Sequence, residues 1–187
     1  MFAIFGIISS STLLVIERKS RTLQRMLTTS ISRAEIVGGH LLAMFLISLT
    51  QQIILVAAGQ FLFGVNYFRE PLAILLVMVG LALWTASLGL FIGAVAKNED
   101  QANLFAMIAM FVFSALGGAW FPLEFTGGLF VMIGKLMPSA WAMEGFQNII
   151  VRGLPASSVI MPASILLTYA VGFFGLAVWR FWSHQDS

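Results

Sequence analysis

The residue types of this chain offer little for covalent chemistry. It has no cysteine, and its two histidines, His40 and His184, stand far apart with no spacing suited to a metal. Each reads as an interfacial side chain. A nucleophile needs a base beside it, and no histidine or aspartate falls in the middle of the long apolar stretches, so an intramembrane enzyme is disfavoured. The one Gly-Lys pair, Gly134-Lys135, is followed by Leu136, and Leu129 stands where the first glycine of a phosphate-binding loop belongs. The chain therefore carries no recognisable nucleotide site and reads as a non-enzyme.

Two other groups of residues carry a physical signal. Gln51 and Gln52 lie side by side within an apolar block, where they either face a polar pathway or hydrogen-bond a neighbouring helix. Between Glu17 and Glu35, at 100° per residue, Arg18, Arg21 and Arg25 fall within about 60° of one another, while Leu23, Met26 and Leu27 lie opposite. This is a short amphipathic helix. Thr28-Thr29-Ser30 reads as a turn, and Ser32 followed three residues later by Glu35 is a capping box for the next helix. Contact with anionic headgroups, at roughly 1 kcal/mol per basic residue, accounts for the arginines. A tight helix-turn-helix joined to two spans is in addition suited to receive force from a soluble partner.

The elements that position these residues follow from composition. Hydrophobic residues make up 59% of the 187 and charged residues 10%, against roughly 25% charged in a soluble domain. The apolar residues come in blocks at 1–16, 41–65, 72–96, 102–121 and 159–181. All but the first reach about the 20 residues needed to cross a hydrocarbon core. The expectation is a single all-α transmembrane domain over 1–187, a polytopic membrane protein of about five spans. A cleavable leader is a poor reading of residues 1–16, because no basic residue precedes the apolar run.

Orientation follows from Lys and Arg. Arg18, Lys19, Arg21, Arg25 and Arg33 mark the loop at 17–35 as cytoplasmic. Threading from there places Lys97 and Arg180 inside as well, with Arg69, Lys135 and Arg152 outside. The stretch 122–152 is interrupted by Lys135, Pro138 and Glu144 and reads as a hairpin of two half-helices dipping in from the outer face, packed against the bundle. Glu124 and Glu144 are expected to cap half-helix ends and pair with Lys135 or Arg152, with a gating role as the alternative. Gly89 with Gly93 and Gly172 with Gly175 leave thin faces that mark helix contacts.

With these residues in view, the chain resembles the membrane subunits of type-2 ATP-binding-cassette exporters. Residues 17–40 resemble the family's cytoplasmic pattern at Glu17, Thr22, Leu23, Leu27, Ser32, Arg33, Glu35, Ile36 and Gly39, with Arg21, Ser30 and His40 where Gly, Pro and Lys are usual. Residues 117–153 resemble its outer hairpin, with Phe121, Pro122, Leu123, Glu124, Pro138, Trp141, Glu144, Arg152 and Gly153 in place and a usual proline replaced by Thr126-Gly127. Such permeases usually have six spans, and the chain looks like the last five, which implies a fragment, a late start or half of a split subunit.

The resemblance implies an export subunit moving its substrate by alternating access. It implies a coupling helix at Arg18 to Thr29, an ABC ATPase partner that holds ATP and Mg, and no cofactor on this chain. It further implies a second permease subunit (homo- or heterodimer), contact with lipid and none with nucleic acid, and placement in a bacterial cytoplasmic membrane. A passive channel or a structural membrane protein is the rival reading.

Overall fold

A computed structural model of the protein describes residues 2–19, 33–120 and 127–183. Among these the regular elements are all helical. A 3-10 turn (Phe2–Phe5) leads into α1 (Gly6–Lys19), followed by α2 (Arg33–Phe63), α3 (Pro71–Val95), α4 (Glu99–Leu116), α5 (Leu129–Lys135), α6 (Pro138–Ile150) and α7 (Ile160–Ser183). The architecture is the all-α, polytopic one that the apolar blocks predict. By length and composition Glu35–Phe63, Pro71–Val95 and Ala156–Arg180 can each cross a membrane, and Ala3–Glu17 is a shorter apolar helix. The fourth block falls short, since α4 opens on Glu99, Asp100 and Gln101 and stops at Leu116.

Local chemistry sets these boundaries. Asn98 caps α4 by accepting from the Gln101 amide (2.8 Å), and the Gln101 side chain accepts from the Lys97 amide in return (2.8 Å), a reciprocal capping box. At the other end Gly118 takes φ +78°, a left-handed conformation that glycine adopts without strain. Its amide donates to Ala115 O, and the Ala119 amide donates to Ser114 O, so the last carbonyls are closed off in a Schellman arrangement. The expected span at 102–121 is therefore five residues too long at this end: its apolar composition continues through Gly117-Gly118, but the backbone does not. Pro71 and Pro138 each start a helix, where a missing N–H costs nothing.

Helix α3 runs through the centre, with α7, α1 and α2 packed around it. Trp84, fully buried near its middle, meets Phe113 of α4 edge to face at 5.2 Å between centroids. Gly89 admits Ser10 of α1 and Gly93 admits the Ser11 carbonyl, so this glycine pair does form a close helix contact. Gly172 and Gly175 do not: among the described residues nothing lies within 4 Å of a Cβ built on either.

The contacts also fix direction. His40 lies by Glu17 and Gly6 by Ser48, so α1 and α2 are antiparallel; Gly80 lies by Leu166 while Leu90 clusters with Ala177, so α3 and α7 run parallel. Glu17, Lys19, His40, Lys97 and Glu99 consequently gather at one end of the bundle, with the last turn of α7 running toward them. Arg69 and Gly153 meet at the other end. The outward surface between is apolar, including Leu46, Ile47, Ile53, Ile54 and Phe61 of α2, as a lipid-bathed protein requires.

Candidate functional site

At the Lys19 end, two polar contacts tie helices together. Lys19 Nζ donates to Glu99 Oε1 at 3.2 Å across α1 and α4, an exposed pair worth little by itself. The other pair is largely buried. His40 of α2 directs Nδ1 at its own Ile36 carbonyl (2.8 Å) and Nε2 at the Glu17 carboxylate of α1. The imidazole is 9% exposed. The pair joins the two helices that bracket residues 20–32, beside a cleft of about 290 Å³ that Glu35 also lines.

Halfway along the bundle a polar seam crosses the apolar core. The Ser48 and Thr85 hydroxyls of α2 and α3 are 3.0 Å apart, and Gln52 Nε2 reaches Ser48 Oγ at 3.5 Å. Gln52 is buried, whereas Gln51, one residue and 100° round the helix, is half-buried beside Gly6. The two glutamines therefore have different surroundings: Gln52 bonds within its own helix to Ser48, one turn back, and it is Ser48 that meets Thr85 of α3.

The hairpin of α5 and α6 reaches deep. Gly145 of α6 packs against Val77 of α3 and Pro162 of α7. Seven residues back, about 10 Å deeper at the helical rise, Pro138 opens α6 level with Trp84. Two hydrogen bonds fix that depth: the Ser139 hydroxyl donates to Phe113 O (2.6 Å), and the Tyr169 hydroxyl in mid-α7 donates to Leu136 O at the hairpin turn (2.6 Å). A Cβ on Gly117 would collide with Ser139, so α6 begins where α4 stops. The crossing that α4 leaves unfinished is completed by α6, and the break lies at mid-depth. Removing the Tyr169 hydroxyl (Tyr169→Phe) should cost about 1 to 3 kcal/mol, because Leu136 O is left without its donor. A thermal unfolding midpoint in detergent equal to that of the unaltered protein would show that the bond does not hold the turn.

Above the break, α6 ends in an organised corner. Asn148 donates from Nδ2 to Ser158 O (3.2 Å), accepts at Oδ1 from Arg152 (2.8 Å), and accepts the Leu154 amide at its own carbonyl (2.8 Å). The Trp141 indole N–H donates to Lys135 O at 2.8 Å, tying α6 back onto α5.

Comparison with known proteins gives this arrangement its family. The family model described as "ABC-2 family transporter protein" matches residues 1–179. The chain belongs to the ABC-2 transporter family. Curated relatives of this ABC-2 chain include the linearmycin resistance permease protein LnrN of Bacillus subtilis (strain 168), 28% identical over 91% of this chain and 44% of the relative. The probable multidrug ABC transporter permease YbhS of Escherichia coli (strain K12) is 22% identical over 94% of this chain and 47% of the relative. The inner membrane transport permease YhhJ of the same strain is 28% identical, again over 94% and 47%. The chain thus spans somewhat under half the length of these relatives. No solved structure matches it. With these permease relatives and its apolar helices, the ABC-2 chain is an integral membrane protein.

Against that family the expected site residues divide. Arg21, Leu23, Arg25, Met26, Leu27, Phe121, Pro122 and Glu124 lie outside the described residues. Arg18 is in the last turns of α1, Arg33 opens α2, and Glu35 is exposed in the first turn of α2. Pro138, Trp141 and Arg152 all hold parts of the hairpin. Glu144 needs correction: it lies in the middle of α6 and so caps nothing, and among the described residues it pairs with neither Lys135 nor Arg152. Asn148 takes the role expected of it, since a neutral amide can both donate and accept at a buried corner. The pairing of Glu17 with His40 and the roles of Asn148 and Tyr169 escaped sequence reasoning. A search for polar side chains at matching depths on helices expected to be antiparallel finds the first pair.

Proposed function

We propose that this chain is the membrane part of a permease subunit in an ATP-driven exporter, powered by a separate ABC ATPase. The family match over residues 1–179 carries the reading. Outward direction is supported by the resistance and multidrug designations of two relatives. ATP and Mg then belong to the partner, consistent with a sequence that holds no phosphate-binding loop.

In this reading the Lys19 end is cytoplasmic, the membrane is a bacterial cytoplasmic membrane, and Arg18 to Thr29 is the coupling helix. Motion of the ATPases biases the chain between inward- and outward-open packings through contacts that differ in the two states. A second permease subunit completes the pathway. The face of α1 and α4 supports that pairing: the Thr12 hydroxyl donates to Asn103 Oδ1 (2.9 Å) beside exposed Ser9, Leu104, Met107 and Phe111. Polar groups at such a place favour a protein neighbour over lipid.

The test exploits the absence of native cysteine. A cysteine at Met26 should crosslink to the co-purified ATPase. Truncating Leu27 to Ala should weaken ATPase attachment by about 1 to 3 kcal/mol, the worth of a buried leucine, with membrane insertion unchanged. An active preparation in which no position from Leu23 to Ser30 crosslinks to the ATPase would sink the exporter reading.

A further inference from the structure

Two clefts flank α6 and meet on its surface. The first, about 440 Å³, opens between α2, α6 and the 3-10 turn that precedes α1. Its walls are apolar (Leu55, Val56, Phe146 and Ile150), and at its floor lies Gln52, whose Oε1 is buried without a hydrogen-bond partner among the described residues. The second, about 320 Å³, climbs from the Gly117-Gly118 break to Arg152 and is lined by Lys135, Glu144 and Gln147. Met143 and Gln147, one turn apart on α6, line both. One elongated molecule can therefore lie across α6 as over a saddle.

Three charged side chains line the polar cleft; Arg152 donates to Asn148 at its upper end, and the other two, Lys135 and Glu144, do not neutralise each other. Lys135 ends α5 beside the hairpin turn, level with the middle of α3, and Glu144 lies two turns along α6. Neither has an ion-pair partner among the described residues. Ionised groups at membrane depth are costly unless paired or wetted. An occupant carrying only an anion would leave Glu144 repelled, and one carrying only a cation would do the same to Lys135. A head with both charges satisfies both.

We propose that the saddle over α6 binds a zwitterionic amphiphile, with its hydrocarbon body in the Gln52 cleft and a head bearing an ammonium and a phosphate or carboxylate between Glu144 and Lys135. The same chemistry is offered by a zwitterionic membrane lipid and by a transported amphiphile. Binding stands on the two clefts alone; only a transported occupant rests on the exporter reading.

The test uses the full chain in nanodiscs and three single-chain photoactivatable probes of equal length: lysophosphatidylethanolamine (zwitterion), lysophosphatidic acid (anion) and an alkylamine (cation). The zwitterion is expected to label peptides around Val56, Phe146 or Ile150 at about tenfold lower concentration than the others, the effect of one additional charge-assisted contact. Glu144→Gln should bring the anion level with the zwitterion, Lys135→Gln should weaken both, and Lys135→Arg should keep the original order. Equal half-saturation by the three probes on the unaltered protein, or labelling confined to peptides outside α2 and α6, overturns the proposal whatever the variants do. With the ATPase and ATP added, ATP-dependent loss of label marks a transported occupant. Unchanged label marks a resident lipid, and in that arm the site stands even if the exporter reading fails.

Discussion

Replacing Gly93 by leucine is expected to abolish recovery of folded protein from the membrane, while the same replacement at Gly172 leaves recovery and unfolding midpoint unchanged. A Cβ on Gly93 would lie 2.8 Å from the Ser11 carbonyl oxygen and 3.0 Å from the Leu14 Cβ, and one on Gly89 would collide with the Ser10 Cβ. These are backbone and first-carbon atoms, which cannot rotate away; α1 would have to leave α3. Overpacking by a few methylenes costs about 1 to 3 kcal/mol even where side chains can adjust, and here the adjustment is a lost helix interface. Among the described residues, nothing beyond its own helix backbone lies within 4 Å of a Cβ built on Gly172, so its substitution should stay within about 0.5 kcal/mol, as at ordinary surface positions. Equal losses at the two sites, measured as monodisperse yield after detergent extraction, would contradict the α1 to α3 contact.

Breaking the Glu17–His40 contact is expected to loosen the frame that holds residues 20–32. His40→Leu removes the imidazole from the Glu17 carboxylate and should cost about 1.5 to 3 kcal/mol, the range for hydrogen bonds to charged groups. His40→Lys supplies a donor of similar reach and should recover most of it. The readout beyond stability is geometric. Spin labels at Ile16 and Leu42, both exposed on the two joined helices, should give a narrow distance distribution in the unaltered protein and a broad one in His40→Leu. An unchanged distribution would mean that the helix ends are held by other contacts.

The long apolar blocks were readable because membrane depth imposes a minimum length, and α2, α3 and α7 lie where that length is met. The end of α4 was not, since Gly117-Gly118 interrupts the backbone without interrupting the apolar composition, and the Ser139 side chain that closes the break comes from the next hairpin. The two glycine pairs show the same limit. Small residues at helical spacing state that a close approach is possible, and only the neighbouring helix decides whether it happens. His40 looked interfacial because its partner, Glu17, lies on the far side of a loop. Glu144 looked like a partner for Lys135 because sequence distance says nothing about which way a charge points from mid-helix.

The break between α4 and α6 also has a consequence for how the protein is made. When α4 leaves the ribosome its last turn carries the Phe113 carbonyl, whose Ser139 partner has yet to be synthesised. The lateral exit of this segment into lipid then precedes the arrival of the group that finishes it, and the newborn helix ends in mid-bilayer without a roof. The outer half of this crossing can therefore take its place only after the hairpin has been translated and has folded back against α4.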